Sequence, residues 1–322
     1  MRADAGGSRW STSRGSTTRR GALFGGLCLC CLPTLGRSAE GFDLQEVGPG
    51  IFIRRGPDAE ATPENDDAIA NVGFIVGERS VLVTESGGSL ADGAWLRSEI
   101  RKRTDKPISH VVLTHVHPDH CFGAAAFAED KPVYVGHHAL RAALDARGDY
   151  YRGRLAEILG ADRAGSVVYP TLEVAEGAEA DLGGRVLRFT AHGAAHTSCD
   201  LSMRDSASGI LFPADLLFVT RIPSLDGSLV GWLKEVDRLR AMGATKAVPG
   251  HGPRLVDVAP ALDDLTRYLT TLRDETRKAI AADVPIEKAV QSVGQAERDK
   301  WVLFDTYNGR NVTQAFKELE WE

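Results

Sequence analysis

From residue 43 onward the apolar and polar positions of the chain switch between two periods. The runs "IFIRR" (51–55), "NVGFIVG" (71–77) and "SVLVTE" (80–85) are rich in β-branched residues and bounded by Gly and Pro. They predict an antiparallel opening of three strands. "SLADGAWLRSEIRKRT" (89–104) has helical spacing, with Leu90, Trp95 and Leu96 on one side. "ISHVVLTH" (108–115) reads as a buried strand, "DHCFGAAAFAED" (119–130) as a helix, "PVYVG" (132–136) as a strand and 137–160 as a helix. A second strand set follows in "RVLRFTAHG" (185–193), "DLSMRD" (200–205) and "GILFPAD" (209–215). Then come an amphipathic helix, "SLVGWLKEVDRLRAMG" (228–243), and a short strand, "KAVPGHG" (246–252). Beyond Pro260 the pattern is almost wholly helical. Strands and helices in this repeated order predict an α/β fold with two sheets faced by helices, an αββα sandwich over 40–255. Residues 256–322 form a helical extension packed on it.

The first 39 residues stand apart. A polar segment leads to the twin-arginine pair Arg19–Arg20, the weakly apolar run "GALFGGLCLCCLPTL" and small residues near Ser38 and Ala39. That order predicts an export signal of the twin-arginine type, with the mature protein in the periplasm. The apolar run is too short to span a bilayer, and no later stretch approaches 18 apolar residues, so a soluble mature protein without stable membrane insertion is expected. Removing the six arginines and one aspartate of the leader leaves 32 basic and 43 acidic side chains. An acidic body of this kind argues against nucleic acid as a partner. Of the five cysteines, only Cys121 and Cys199 lie beyond the leader. The count alone leaves open whether they pair.

Chemistry gathers in "THVHPDHCFG" (114–123). His115 and His117, two apart on an extended segment, point the same way. Asp119 and His120 follow at a helix start, turned toward a neighbouring point. Two metal positions need six or seven protein contacts, and three more candidates end apolar strands beside Gly or Pro. These are His196 in "AAHTSCD", Asp215 in "LFPADLLF" and His251 in "VPGHGP". Strand ends of α/β sheets are where sites collect. No Ser-His-Asp set competes, and "GGSLADG" lacks the lysine of a phosphate loop. His137, His138 and His192 are read as pocket-lining, ligand-orienting or surface residues, Tyr150 and Tyr151 as substrate contacts or, more readily, core packing, and Arg221, Ser224 and Asp226 equally as a pocket rim or a tight turn; all are left out of the catalytic set.

At these residues the chain resembles the metallo-β-lactamase-fold superfamily over about residues 43–255. The H-x-H-x-D-H signature stands as His115, His117, Asp119 and His120, followed by "HT" at His196, "AD" at Asp215 and "GH" at His251. The resemblance implies that His115, His117 and His196 hold one zinc ion, Asp119, His120 and His251 a second, and Asp215 bridges them, with iron or manganese as alternatives. It implies a hydrolase in which a metal-bridging hydroxide attacks a carbonyl-type ester, thioester, lactone or amide, with Asp119 accepting a hydrogen bond from the nucleophile. Glu85 stands where the family places an aspartate that braces the histidine loop. The stretches "FPADLLFVTRIPSLDGSLVGWL" and "NVTQAFKELEWE" further resemble quinoprotein-associated zinc metallohydrolases, grouped with sulfur-oxidation hydrolases. This implies a small-molecule substrate and a functional link to a periplasmic quinoprotein dehydrogenase or sulfur-oxidation system. Two rival readings are a mononuclear iron persulfide dioxygenase and a non-catalytic metal-binding partner.

Overall fold

The computed structural model describes residues 43–322, so the predicted export signal lies outside the described residues. The first sheet contains β1 (Leu44–Gly48), β2 (Ile51–Arg54), β3 (Val72–Val76), β4 (Val81–Glu85), β5 (Ile108–Leu113), β6 (Val133–His137) and β7 (Leu172–Val174), in that spatial order. Its first four strands pair antiparallel, as the opening pattern predicts, and β4 to β7 run parallel. The second sheet contains β8 (Gly177–Asp181), β9 (Val186–Ala191), β10 (Leu201–Asp205), β11 (Leu211–Phe218), β12 (Lys246–His251) and β13 (Val256–Asp257), again in chain order. Here only β11 and β12 are parallel.

Successive strand residues face opposite ways, and both faces are apolar. Leu82 and Val112 join Ile51, Leu187, Phe189, Leu201 and Val248 in the core between the sheets. Val81, Val83, Val111 and Leu113 point outward against α1 (Leu90–Arg101) and other covering elements. The helices that follow are α2 (Pro118–Cys121), α3 (Leu140–Leu159), α4 (Leu229–Ala241), α5 (Val258–Ala281), α6 (Ile286–Ser292) and α7 (Phe304–Leu319). α3 shares the outer layer of the first sheet, while α4 and α5 cover β11 and α7 packs on α5, all joined in one core with Trp232, Leu265, Leu272 and Val312. The result is the αββα sandwich with helices following it.

Three expectations change. The inward face of α1 is Asp92, Gly93, Leu96 and Ile100, with Trp95 only half-buried. Asp92 is inside because it pairs with the fully buried Arg54, whose Nη2 lies 3.1 Å from Asp92 Oδ2. The predicted helix over 119–130 is one turn, α2, followed by a 3-10 segment over Ala124–Asp130. The break falls at Gly123, which donates to Gly87 O at 2.8 Å and lies so close that a Cβ there would sit 2.1 Å from Ser86 O. Finally, β1, β7, β8 and β13 were not legible as strands. All four are sheet edges or short pieces, where polar side chains satisfy the exposed positions.

Near the C-terminal ends of the central strands, Asn71 staples the two sheets. Its Oδ1 accepts from Gly56 N at 3.1 Å, its Nδ2 donates to Pro249 O at 2.8 Å and Gly252 O at 3.2 Å, and its own N donates to Gly250 O at 2.8 Å. Among the described residues no helix is long and apolar enough to cross a membrane.

Candidate metal centre

β5 ends at Leu113 and delivers His115 and His117, and α2 then presents Asp119 and His120. His196 lies in the connection between β9 and β10, and His251 ends β12. Asp215 lies within β11, just after Ala214, which takes a left-handed φ of 49° where the pairing with β12 shifts register. A bulge of this kind re-aims the next side chain. The neighbouring strand makes room through Gly250, where a Cβ would stand 1.9 Å from Asp215 Oδ1.

All seven predicted donors converge, in two adjoining groups whose donor atoms lie within 4.8 Å of one another. In the first group His117 Nδ1 stands 3.2 Å from His115 Nε2 and 2.9 Å from His196 Nε2. Asp215 Oδ2 lies 3.3 Å from His196 Nε2 and 3.8 Å from His115 Nε2. In the second group Asp119 Oδ2 lies 3.2 Å from His251 Nε2 and 3.5 Å from His120 Nε2. Asp215 reaches this group too, with Oδ1 3.1 Å from His120 Nε2 and Oδ2 3.5 Å from His251 Nε2.

These residues fit divalent ions. A tetrahedral ion with ligand bonds of about 2.0–2.1 Å has donor–donor edges of about 3.3–3.4 Å, close to the spacings here. His120 Nε2 and Asp215 Oδ1 are buried and neither makes a directed hydrogen bond, a cost that a bound cation removes. Burial, then the charge on His120, pushes His115 well below the ordinary imidazole range, and burial pushes His196 down to about 3. Neutral imidazole is the ligating form. Burial opposes ionisation of Asp215, yet His120 and His251 hold its carboxyl well below the usual range.

Each ring is aimed from behind. Glu85 accepts from Thr114 Oγ1 at 2.8 Å and lies 3.3 Å from His120 Nδ1, while Thr114 Oγ1 is 3.1 Å from His115 Nδ1. The longer side chain thus occupies the bracing position. His251 Nδ1 faces Ile69 O at 3.1 Å, and His196 Nδ1 faces Ser224 O at 2.6 Å. His117 turns Nδ1 to the donor group and Nε2 to Asp226 Oδ2, 3.2 Å away, and Asp226 in turn binds Arg147. Such outer partners fix the tautomer and orientation of metal-binding rings.

The donors open onto a cleft of about 580 Å³. Tyr151, Leu155 and Ile158 of α3 form one side, and Tyr307, Asn311 and Gln314 of α7 another. Arg221 is buried, donates from Nη2 to Tyr307 Oη at 2.9 Å and places Nη1 3.4 Å from His251 Nδ1. Arg221, Ser224 and Asp226, read equally as a pocket rim or a turn, belong to the rim of the site. Their position beside "FPAD" was the available signal, but Asp226 and His117 are 109 residues apart. Of the two tyrosines set aside, Tyr151 lines the cleft and Tyr150 is exposed. His192 sits between Glu235 Oε2 at 2.6 Å and Ser202 Oγ at 2.7 Å, a packing role. Cys121 and Cys199 are buried free thiols outside both donor groups. Burial pushes Cys199 up to about 12.

Fold and donor set together define an αββα protein with a candidate metal-binding centre. Residues 65–251 match the family described as the metallo-beta-lactamase superfamily, and the chain belongs to it. A metallo-beta-lactamase from Pontibacter korlensis superposes with a TM-score of 0.57 at 18% identity, over 71% of this chain and 98% of that one. A double mutant of the sec-alkyl sulfatase PisA1 superposes with a TM-score of 0.64 at 18% identity, over 86% of this chain and 50% of that one. In sequence, a linear primary-alkylsulfatase of Pseudomonas sp. (strain ATCC 19151) is 35% identical over 63 residues. That match spans 20% of this chain and only 12% of the sulfatase.

Proposed function

We propose that this chain is an exported dinuclear zinc hydrolase of a carbonyl-type substrate: an ester, thioester, lactone or amide. One observation carries the reading, namely two donor groups side by side that share the Asp215 carboxylate. His115, His117 and His196 would hold one ion and Asp119, His120 and His251 the other, with Asp215 between them. Zinc suits this nitrogen-rich donor set, with iron and manganese as competitors. Such ions supply Lewis acidity and acidify a water from about 15.7 toward about 7.

The protein's own groups do the rest. Asp119, at the cleft wall, is held ionised against burial by His120 and His251, so it orients the nucleophile as a hydrogen-bond acceptor. Arg221 keeps Tyr307 at the cleft edge beside His251. Side chains of α3 and α7 flank the cleft in which the substrate would sit.

A second reading, hydrolysis of a sulfate ester, is favoured by the short alkylsulfatase match and by Arg154, Arg310 and Lys317 along the cleft. The test is metal analysis of the purified mature protein together with a panel of thioesters, lactones, β-lactams and alkyl sulfates. About two zinc ions per chain with turnover of one panel class supports the proposal. About one iron with oxygen uptake on a persulfide favours the dioxygenase, and full metal loading with no turnover favours a non-catalytic partner. The resemblance to quinoprotein-associated metallohydrolases and the leader support a role beside a periplasmic quinoprotein dehydrogenase or sulfur-oxidation system. Replacing Arg19 and Arg20 together with lysine should leave uncut precursor in the cytoplasm, and normal periplasmic appearance would refute that export route.

A further inference from the structure

The connection between β11 and α4 holds both partners that aim His117 and His196, namely Asp226 Oδ2 and Ser224 O. It has no regular ladder of its own, so its backbone groups need outside partners. Val302 pairs with Thr220 and Ile222, and His196 O and Ala195 O accept from Asp226 N and Ser228 N, while one face of α7 supplies partners for the groups between and after them. Asn311 Oδ1 accepts from Leu225 N at 2.9 Å, and its Nδ2 donates to Pro223 O at 2.7 Å. Gln314 Nε2 donates to Gly227 O at 3.3 Å. One turn on, Glu318 accepts from Ser228 Oγ and from Leu229 N, each at 2.6 Å. Residues 311, 314 and 318 share one helical face by their spacing.

Asn311 is the buried centre of this contact. Its Nδ2 also donates to Tyr268 Oη at 2.8 Å, and Tyr268 donates to Asn308 Oδ1 at 3.1 Å. The amide is fixed in orientation, because turning it over would set its NH2 against Leu225 N–H and its oxygen against Pro223 O. The second donor group is aimed by Glu85 and Ile69 O, and α7 reaches it through a different residue, Tyr307, which accepts from Arg221 Nη2 while Arg221 Nη1 lies 3.4 Å from His251 Nδ1. α7 also lies beyond the segment 65–251 that matches the family.

We infer that Asn311 of α7 is a positioning residue for the first metal position, acting through Ser224 and Asp226. The inference rests on the reading of the two donor groups as metal positions. Chelator-stripped full chain is titrated with Zn²⁺ against a chromophoric chelator, in two backgrounds. His251→Ala leaves the first position to report, and His196→Ala leaves the second. Asn311→Ala should weaken binding about 10-fold or more in the His251→Ala background. It should leave affinity unchanged in the His196→Ala background. Gln314→Ala, which loses only the bond to Gly227 O, should do the same on a smaller scale, and it decides the matter if Asn311→Ala does not fold. Equal affinities in both backgrounds, or equal losses in both, overturn the inference. Binding of one ion by the parent chain defeats the two-ion reading instead. Asn311→Ala then still decides the inference by whether it weakens that single ion.

Discussion

The two donor groups share Asp215 but are supported from different parts of the chain. The second group, Asp119, His120 and His251, is braced by Glu85 at the end of β4 and by the backbone at Ile69, within the sandwich itself. The first, His115, His117 and His196, rests on Thr114 and on an irregular connection that α7 holds in place. The second position draws its nearest supports from the sandwich and meets α7 only through Arg221 and Tyr307, whereas both aiming partners from the irregular connection serve the first. The difference locates the part of the centre where a related chain with another C-terminus has most freedom to differ.

The heaviest blow to both groups at once is Asp215→Asn. It should lower occupancy of the two positions together and cut turnover by about 10³-fold or more, beyond the 10–100-fold carried by outer partners. Two tightly held ions with normal turnover would sink the shared-carboxylate arrangement. Gly250→Ala attacks the same carboxylate from the backbone of β12. The added methyl must push Asp215 aside, so a loss of activity of about 10²-fold is expected from the misplacement. Overpacking should cost about 1–3 kcal/mol besides, readable in a denaturant melt. An unchanged enzyme would mean that the strand shifts freely there.

Glu85→Gln separates the groups. It keeps an acceptor for Thr114 but removes the negative charge beside His120, so affinity should fall about 10-fold at the second position only. Zn²⁺ titration in the His251→Ala and His196→Ala backgrounds reads the split. Equal loss at both positions would erase the distinction between the two supports.

The smallest effect on turnover comes from Asp200→Asn, near the first group. Asp200 is buried, accepts from Thr197 N at 2.9 Å and Thr197 Oγ1 at 2.6 Å, and burial raises it to about 7. Because its folded pKa lies above its unfolded value, the folded chain binds the proton more tightly between about pH 4 and pH 7. Stability therefore falls as pH rises through that window, by a few kcal/mol in total. Asp200→Asn should flatten this slope in the metal-free protein and raise its midpoint at pH 7.5. A variant whose stability follows the same pH profile as the parent would exclude Asp200 as the source.

Much of the centre was legible because its donors are rare residue types at the ends of apolar strands. His115 to His120 declare themselves by spacing, and His196, Asp215 and His251 by their Gly and Pro neighbours. The bracing set was less legible. Amphipathic spacing in "NVTQAFKELEWE" shows that α7 buries a face, but not that Asn311 meets the backbone at 223 and 225. That meeting depends on a tertiary distance across more than 80 residues. The contact of Asp226 with His117 was hidden for the same reason, and the Gly123 break because nothing local to "CFGAA" shows how near Ser86 lies. Edge strands such as "GAEAD" escaped because one polar face hides the period.

Asn71 has a bearing on how the molecule breathes. Three of its four hydrogen bonds tie the strand that starts at Val72 to the end of β12 and the fourth holds Gly56, so the sheets cannot part there without exposing several buried polar groups together. Opening at that seam should therefore need cooperative unfolding of the whole domain, and the amides of Gly56 and Asn71 should be among the slowest to exchange with deuterium. The traffic of substrate and product then falls to the opposite wall, where α3 and α7 face each other across the cleft.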